Sequence, residues 1–203
     1  MVGAILTQNT AWTNVEKAIG NIKRANALNV EKLLAFPDTR VAKMLKPSGY
    51  FNIKTKRLKS FLRFYKDAFG AQVSRMKCMD LPQLREQLLG VNGIGPETAD
   101  SILLYALEKP IFVVDAYTKR IFSRLGLIAP DLDYQGVQAF FMNHLKSDTA
   151  LFNDYHAQIV QLGKDICKKT KPRCVVCPLS DLCRHGLQTM DQTVRQGGRV
   201  GKV

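Results

Sequence analysis

Four of the five cysteines in this 203-residue chain crowd together near its end: Cys167, Cys174, Cys177 and Cys183, in a C-x6-C-x2-C-x5-C run. Thiols at that density call for disulfides or a bound metal. The fifth, Cys78, stands alone in Met76-Lys77-Cys78-Met79, and an odd count does not suit a secreted disulfide framework. A reducing compartment, with one thiol left in the core or at its boundary and the clustered four given to a metal, accounts for all five. Lys168, Lys169, Lys171 and Arg173 are threaded through the run and point the same segment toward phosphate.

The rest of the chain repeats that charge bias. Lys and Arg outnumber Asp and Glu by 30 to 17, a formal net charge of +13. Such a surplus is the footprint of a polyanionic partner, nucleic acid first, with solubility alone or an anionic membrane surface as plainer readings. No apolar run approaches the ~20 residues that span a bilayer, and no secretory leader pattern opens the chain. A cytoplasmic location, nucleoid-associated in a bacterium, is therefore expected, with no membrane partner.

Apolar spacing predicts an all-α fold. Val15, Ala18, Ile19 and Ile22 mark one helix face after a Thr10 cap, and Val30, Leu33 and Leu34 follow an Asn29 cap. Asp38 is placed as the cap of a helix ending near Leu45, before Lys46-Pro47-Ser48-Gly49-Tyr50 breaks the pattern. Ile53, Leu58, Phe61, Leu62, Tyr65 and Phe69 form the next stripe, with Lys54, Lys56, Arg57 and Lys59 assigned mostly to the opposite, solvent side. Pro82 suits the first turn of a helix running to Leu89. The run Pro110 to Val114 reads as an extended connector, Asp115 as the start of a helix to Leu125, and two further helices are expected around 133–146 and 149–168.

Two segments carry candidate chemistry. Leu88 to Ala99 reads as helix, glycine-paired turn and helix, in which Gly93 and Gly95 allow close backbone approach and the second helix offers its N–H groups to a phosphate. A tight helix corner without a ligand is the plainer reading. Asp115, between an apolar run and a helix, is first an N-cap worth ~1 kcal/mol. A carboxylate at such a junction is also placed to stabilise positive charge developing on a bound sugar, and the two roles can coexist.

The hairpin, the Val114-Asp115 junction and the cysteine run, in this order and at these separations, resemble the helix-hairpin-helix DNA glycosylases of the endonuclease III superfamily. The resemblance covers Met1 to about Arg184. Gly3 to Thr10, Pro47-Ser48-Gly49-Tyr50 and Gly93 to Asp100 look more like the 3-methyladenine glycosylase branch than like endonuclease III itself. It implies a six-helix barrel domain over residues 1–110, with the hairpin at about 82–107, and an iron–sulfur domain over 111–185. A disordered basic tail would follow over 186–203, and the active site would lie in the groove between the two domains.

The resemblance further implies a [4Fe-4S] cluster on Cys167, Cys174, Cys177 and Cys183, damaged double-stranded DNA as the partner of a monomer, and flipping of the damaged base into a pocket. Asp115 falls on the family's catalytic aspartate. Gln8 matches the side chain that wedges into the gap left by the flipped base, with a buried or capping amide as its other reading. Trp12, the only tryptophan, matches an aromatic of the alkylbase pocket, with core packing as its other reading. Gly93, Gly95 and the Lys168, Lys169, Lys171, Arg173 loop become phosphate clamps.

Where bifunctional relatives carry a lysine that attacks the sugar, this chain has Glu97, which implies base release without strand cleavage. His156 matches a family histidine, but nothing local orients it, so a structural or phosphate-side role is expected rather than general acid catalysis. Met1 falls where relatives are already inside the barrel, so the start is expected to be incomplete. The alternatives are an endonuclease III-type glycosylase and lyase, an adenine mismatch glycosylase, or a non-enzymatic DNA-binding module stapled by zinc, since spacing alone does not choose between zinc and iron.

Overall fold

The structure is a computed structural model and describes residues 1–188. Residues 189–203, which hold most of the expected basic tail, lie outside the described residues. Among the described residues all regular structure is helical, as expected, and no helix is long and apolar enough to cross a membrane. The chain divides into two compact units, Met1–Ile111 and from Phe112 onward.

The first unit contains α1 (Val2–Leu6), α2 (Trp12–Arg24), α3 (Val30–Ala35), α4 (Asp38–Leu45), a 3-10 turn (Lys46–Ser48), α5 (Phe51–Phe69), α6 (Val73–Cys78), α7 (Leu81–Leu89) and α8 (Pro96–Ser101), which continues as a π-helical turn over Ile102–Ala106. The long α5 is its spine. It packs against α1, α3 and α4, and buries Leu58, Phe61, Leu62 and Phe69. Each such side chain contributes roughly 1.5–3 kcal/mol when fully withdrawn from water.

Two lysines on α5 depart from the sequence reading. Lys54 and Lys59 are not on a solvent face: they are 1% and 5% exposed. Three helix ends explain this. Lys54 Nζ donates to Leu6 O, the last residue of α1, at 2.9 Å and to Ser48 O, the last of the 3-10 turn, at 2.6 Å. Lys59 Nζ donates to Phe36 O, at the end of α3, at 2.6 Å and pairs with Asp38 at 2.7 Å. Carbonyls at helix C-termini have no intrahelical donor and carry partial negative charge, so a buried ammonium is satisfied there. Burial, and secondarily the Arg57 charge, pushes the Lys54 ammonium below the usual lysine range.

Local caps differ in detail from expectation. Asn29 caps α3 by accepting from Lys32 N at 3.1 Å, as read, and Pro82 lies in the first turn of α7. Ala11 rather than Thr10 precedes α2, and Pro37 precedes α4, leaving Asp38 in the first turn, where its carboxylate meets Lys59. Cys78 ends α6 exposed rather than in the core or at its edge.

The second unit contains α9 (Ala116–Leu125), α10 (Tyr134–His144) and α11 (Thr149–Asp165), then 3-10 turns at Cys174–Val176 and Ser180–Leu182. Its core is aromatic: Phe112 stacks on Phe141 with centroids 3.9 Å apart and meets Phe152 edge-on. A short helix over 184–188 includes the first residues assigned to the tail, held because Gly186 N and Leu187 N both bond to Cys183.

Replacing Lys54 with Met keeps the apolar stem and deletes both carbonyl contacts. Two buried acceptors then lose their donor at ~1–3 kcal/mol each, so the urea unfolding free energy should fall by about 2–6 kcal/mol. Unfolding indistinguishable from wild type would mean that the lysine does not hold these helix ends.

Candidate functional site

In the first unit, α7 and α8 with the turn between them form the expected hairpin. Its two glycines differ in what the backbone asks of them. Gly93 has φ +88°, and a Cβ there would lie 2.2 Å from Arg57 Cγ. Gly95 has an ordinary φ of −93°, and a Cβ there meets nothing within 4 Å. The fold therefore requires glycine at 93, whereas at 95 it only leaves the surface bare ahead of α8.

Gln8, just past α1, is tied into this turn. Its Nε2 donates to Gly93 O at 3.1 Å and to Thr98 Oγ1 at 2.9 Å, and its Oε1 accepts from Arg57 Nη1 at 2.5 Å. The Gln8 amide is thus part-buried and engaged through both its nitrogen and its oxygen. Arg57 closes the network and was not singled out in the sequence, because one Arg among the basic residues of α5 has no distinguishing local signal. Trp12 is not a core residue. It is 53% exposed, its Nε1 donates to Glu16 at 3.0 Å, and its ring edge packs over Gly3. Glu97 is exposed in the first turn of α8.

In the second unit, Asp115, itself extended, is the N-cap of α9 and follows the buried Phe112, Val113 and Val114. Its Oδ1 accepts from Thr118 N at 2.8 Å and from Thr118 Oγ1 at 2.9 Å. This is a capping box, and the threonine three residues on was a signal available in the sequence. The second oxygen, Oδ2, lies 3.6 Å from His156 Nε2 on α11, with both side chains largely buried. Burial pushes the Asp115 carboxyl up, but His156 and the Thr118 bonds outweigh it and hold the carboxyl below the usual aspartate range. At neutral pH it is a carboxylate. His156 thus departs from the sequence reading: Asp115 stands beside it, from 41 positions earlier in the chain, a separation that carries no local signal.

The four clustered thiols are free of disulfides and line one pocket with Arg124, Ile166, Pro172 and His185. Burial, then the neighbouring Cys183, Cys167 and Cys177, pushes the Cys174 thiol up, so the four share one electrostatic environment. A single zinc ion needs every thiolate ~2.3 Å from one point. Among the described residues no three His, Cys, Asp or Glu side chains are grouped to hold a single ion. The four thiols are the residues available to hold a metal or cluster, and cysteine thiolates ligate both zinc and four-iron clusters.

Arg124 reaches this pocket from α9. It donates to Cys167 Sγ at 3.3 Å, Lys168 O at 2.7 Å and Lys169 O at 3.0 Å. Arg120 donates to Cys167 O at 2.9 Å and Gly163 O at 2.9 Å. The backbone of the basic loop is thereby pinned, while Lys168, Lys169, Lys171 and Arg173 are all exposed. No pattern in the sequence linked Arg124 to the cysteines.

The chain is similar to known proteins. The family described as HhH-GPD superfamily base excision DNA repair protein matches residues 2–147. A Methanocaldococcus jannaschii protein named as a candidate DNA repair glycosylase is 45% identical over 184 residues, 90% of this chain and 83% of its own length. Endonuclease III of Sulfolobus acidocaldarius is 30% identical over 197 residues, 94% and 82% of the two chains. Among solved structures, the H. pylori 3-methyladenine DNA glycosylase bound to 1,N6-ethenoadenine superposes with TM-score 0.70 at 31% identity, covering 80% of this chain and 82% of that one. A trapped endonuclease III–DNA covalent intermediate superposes with TM-score 0.80 at 22% identity over 93% and 84% of the chains, a likeness of fold.

The two hairpin glycines should respond differently to alanine. Gly93→Ala forces a left-handed residue against the Arg57 stem and should cost about 2 kcal/mol or more in chemical unfolding. Gly95→Ala should stay within about 0.5 kcal/mol of wild type. Equal losses at both positions would contradict the assignment.

Proposed function

This chain belongs to the HhH-GPD superfamily of base excision DNA repair proteins and is a DNA repair glycosylase, and we propose that it releases N-alkylated purines from duplex DNA without cutting the strand. One observation carries the catalytic part of this reading: Asp115 is largely buried, ionised and fixed through one oxygen by the start of α9. A positive charge developing on the substrate sugar is what such a group stabilises best.

In the proposed reaction the bond from C1′ to the base nitrogen breaks, and its electron pair leaves with the base. The sugar becomes an oxocarbenium-like cation facing Asp115. Opposite unit charges ~4 Å apart attract by about 4 kcal/mol at an effective dielectric of 20, close to a thousandfold in rate. Water then adds to C1′ and gives its proton to the carboxylate or to solvent, leaving an abasic site. Cationic alkylpurines are good leaving groups, so the base itself needs little acid catalysis.

The 31% identity to a 3-methyladenine glycosylase favours alkylated bases. The exposed ring of Trp12 offers a surface on which a cationic purine stacks, worth ~1–2 kcal/mol when water is excluded. Glu97 occupies the place of the lyase lysine and cannot form the imine that leads to strand cleavage. DNA would be gripped by the hairpin at Gly93 and Gly95 and by Lys168, Lys169, Lys171 and Arg173, consistent with a net charge of +13. For Gln8 to wedge into the emptied stack it must release Gly93 O and Thr98 Oγ1. Cys167, Cys174, Cys177 and Cys183 would hold a [4Fe-4S] cluster, which shapes the basic loop and takes no part in hydrolysis.

Purified enzyme should release free base from methylated duplex faster than from thymine-glycol or adenine-mismatch duplexes. Preference for either of the latter would reassign the substrate. With borohydride present no covalent adduct to abasic DNA should form, and a trapped adduct would end the monofunctional reading. Anaerobically purified protein should be brown, and exchanging Cys174 for Ser should bleach it and weaken DNA binding. A colourless wild type would remove the cluster.

A further inference from the structure

The two oxygens of Asp115 have separate duties. Oδ1 is committed to Thr118, and Oδ2 faces only the imidazole of His156 among the groups that perturb this carboxyl from outside α9. The placement is built into the packing of α9 against α11. Gly163 lies two turns beyond His156 on α11, and a Cβ there would lie 2.4 Å from Tyr117 Cδ1. Arg120 fastens the same contact through Gly163 O. A close, glycine-dependent crossing thus sets His156 opposite Asp115.

The other charged and titratable neighbours are engaged elsewhere. On α9, Lys119 donates to Leu132 O and Arg120 to Cys167 O and Gly163 O. On α11, Asp154 accepts from Gln158, and Tyr155 packs its ring on Phe112, Phe122 and Phe141. From α10, the Tyr134 hydroxyl meets Val114 N.

We propose that His156 is a positioning residue and a proton switch for Asp115: neutral, it steadies Oδ2 toward the substrate sugar, and protonated, it draws that oxygen into an ion pair and slows base release. This inference rests on the reading of Asp115 as the catalytic carboxylate. The physical reason is competition. An imidazolium beside Oδ2 neutralises the same negative charge that the developing sugar cation needs, whereas a neutral ring leaves that charge intact.

Single-turnover base release from methylated duplex should show an acid limb, falling roughly tenfold per pH unit as one proton is taken up. In His156→Gln, which keeps a polar group but cannot take up a proton, this limb should vanish, so that the rate one unit below the limb is within about twofold of the variant's own plateau. A limb that persists in the variant, or is missing in wild type, overturns the proposal, because a purely structural histidine would lower the rate at every pH alike. A measurement free of substitution is carboxyl carbon NMR of Asp115 in wild type, where a second titration step coinciding with the acid limb is expected and a single carboxylate step overturns the proposal. Asp115→Asn separates the two claims. Base release retained there ends the catalytic reading of Asp115. Its loss there, together with an unchanged pH limb in His156→Gln, ends only the role given to His156.

Discussion

The start of α9 is closed by one carboxylate. Asp115 accepts two hydrogen bonds from Thr118, which ends the buried Phe112 to Val114 run and begins the helix in the same residue. Such a cap contributes ~1 kcal/mol. Its larger consequence is electrostatic. The cap immobilises one oxygen, and its hydrogen bonds from Thr118 favour the ionised form against burial, so the negative charge is held in a fixed place. A preorganised charge of this kind needs no rearrangement as the reaction proceeds, which is why a helix cap can double as a catalytic group.

The same economy of polar groups at chain ends recurs elsewhere. Lys54 and Lys59 bind the carbonyls that finish α1, α3 and the Lys46–Ser48 turn, so the ends of three elements converge on α5. Gln8 and Arg57 brace the hairpin turn that Gly93 makes. In the second unit Arg124 spans a cysteine sulfur and two carbonyls of the basic loop. In each case a long cationic or amide side chain satisfies backbone carbonyls at a helix end or in a loop.

Much of this was legible from the chain. Periodic apolar residues disclosed the helices because an amphipathic helix must repeat its buried positions. Short-range motifs, the glycine-paired turn, Asp115 before α9 and the four cysteines, were visible because their parts lie within a few residues of one another. What stayed hidden involves long-range pairing. Lys54 looked solvent-facing because nothing local announces that Leu6 O and Ser48 O need a donor. His156 seemed unoriented because its partner is Asp115, on a different helix cap. Trp12 could be read as core or pocket, and only exposure removed the first.

The claim that one carboxylate serves both fold and chemistry is tested most directly by Asp115→Ser. Serine caps a helix about as well as aspartate but carries no charge, so unfolding should stay within about 1 kcal/mol of wild type. Single-turnover base release from methylated duplex should meanwhile fall by roughly a thousandfold. A serine variant that is equally stable and still releases base at the wild-type rate would contradict the account.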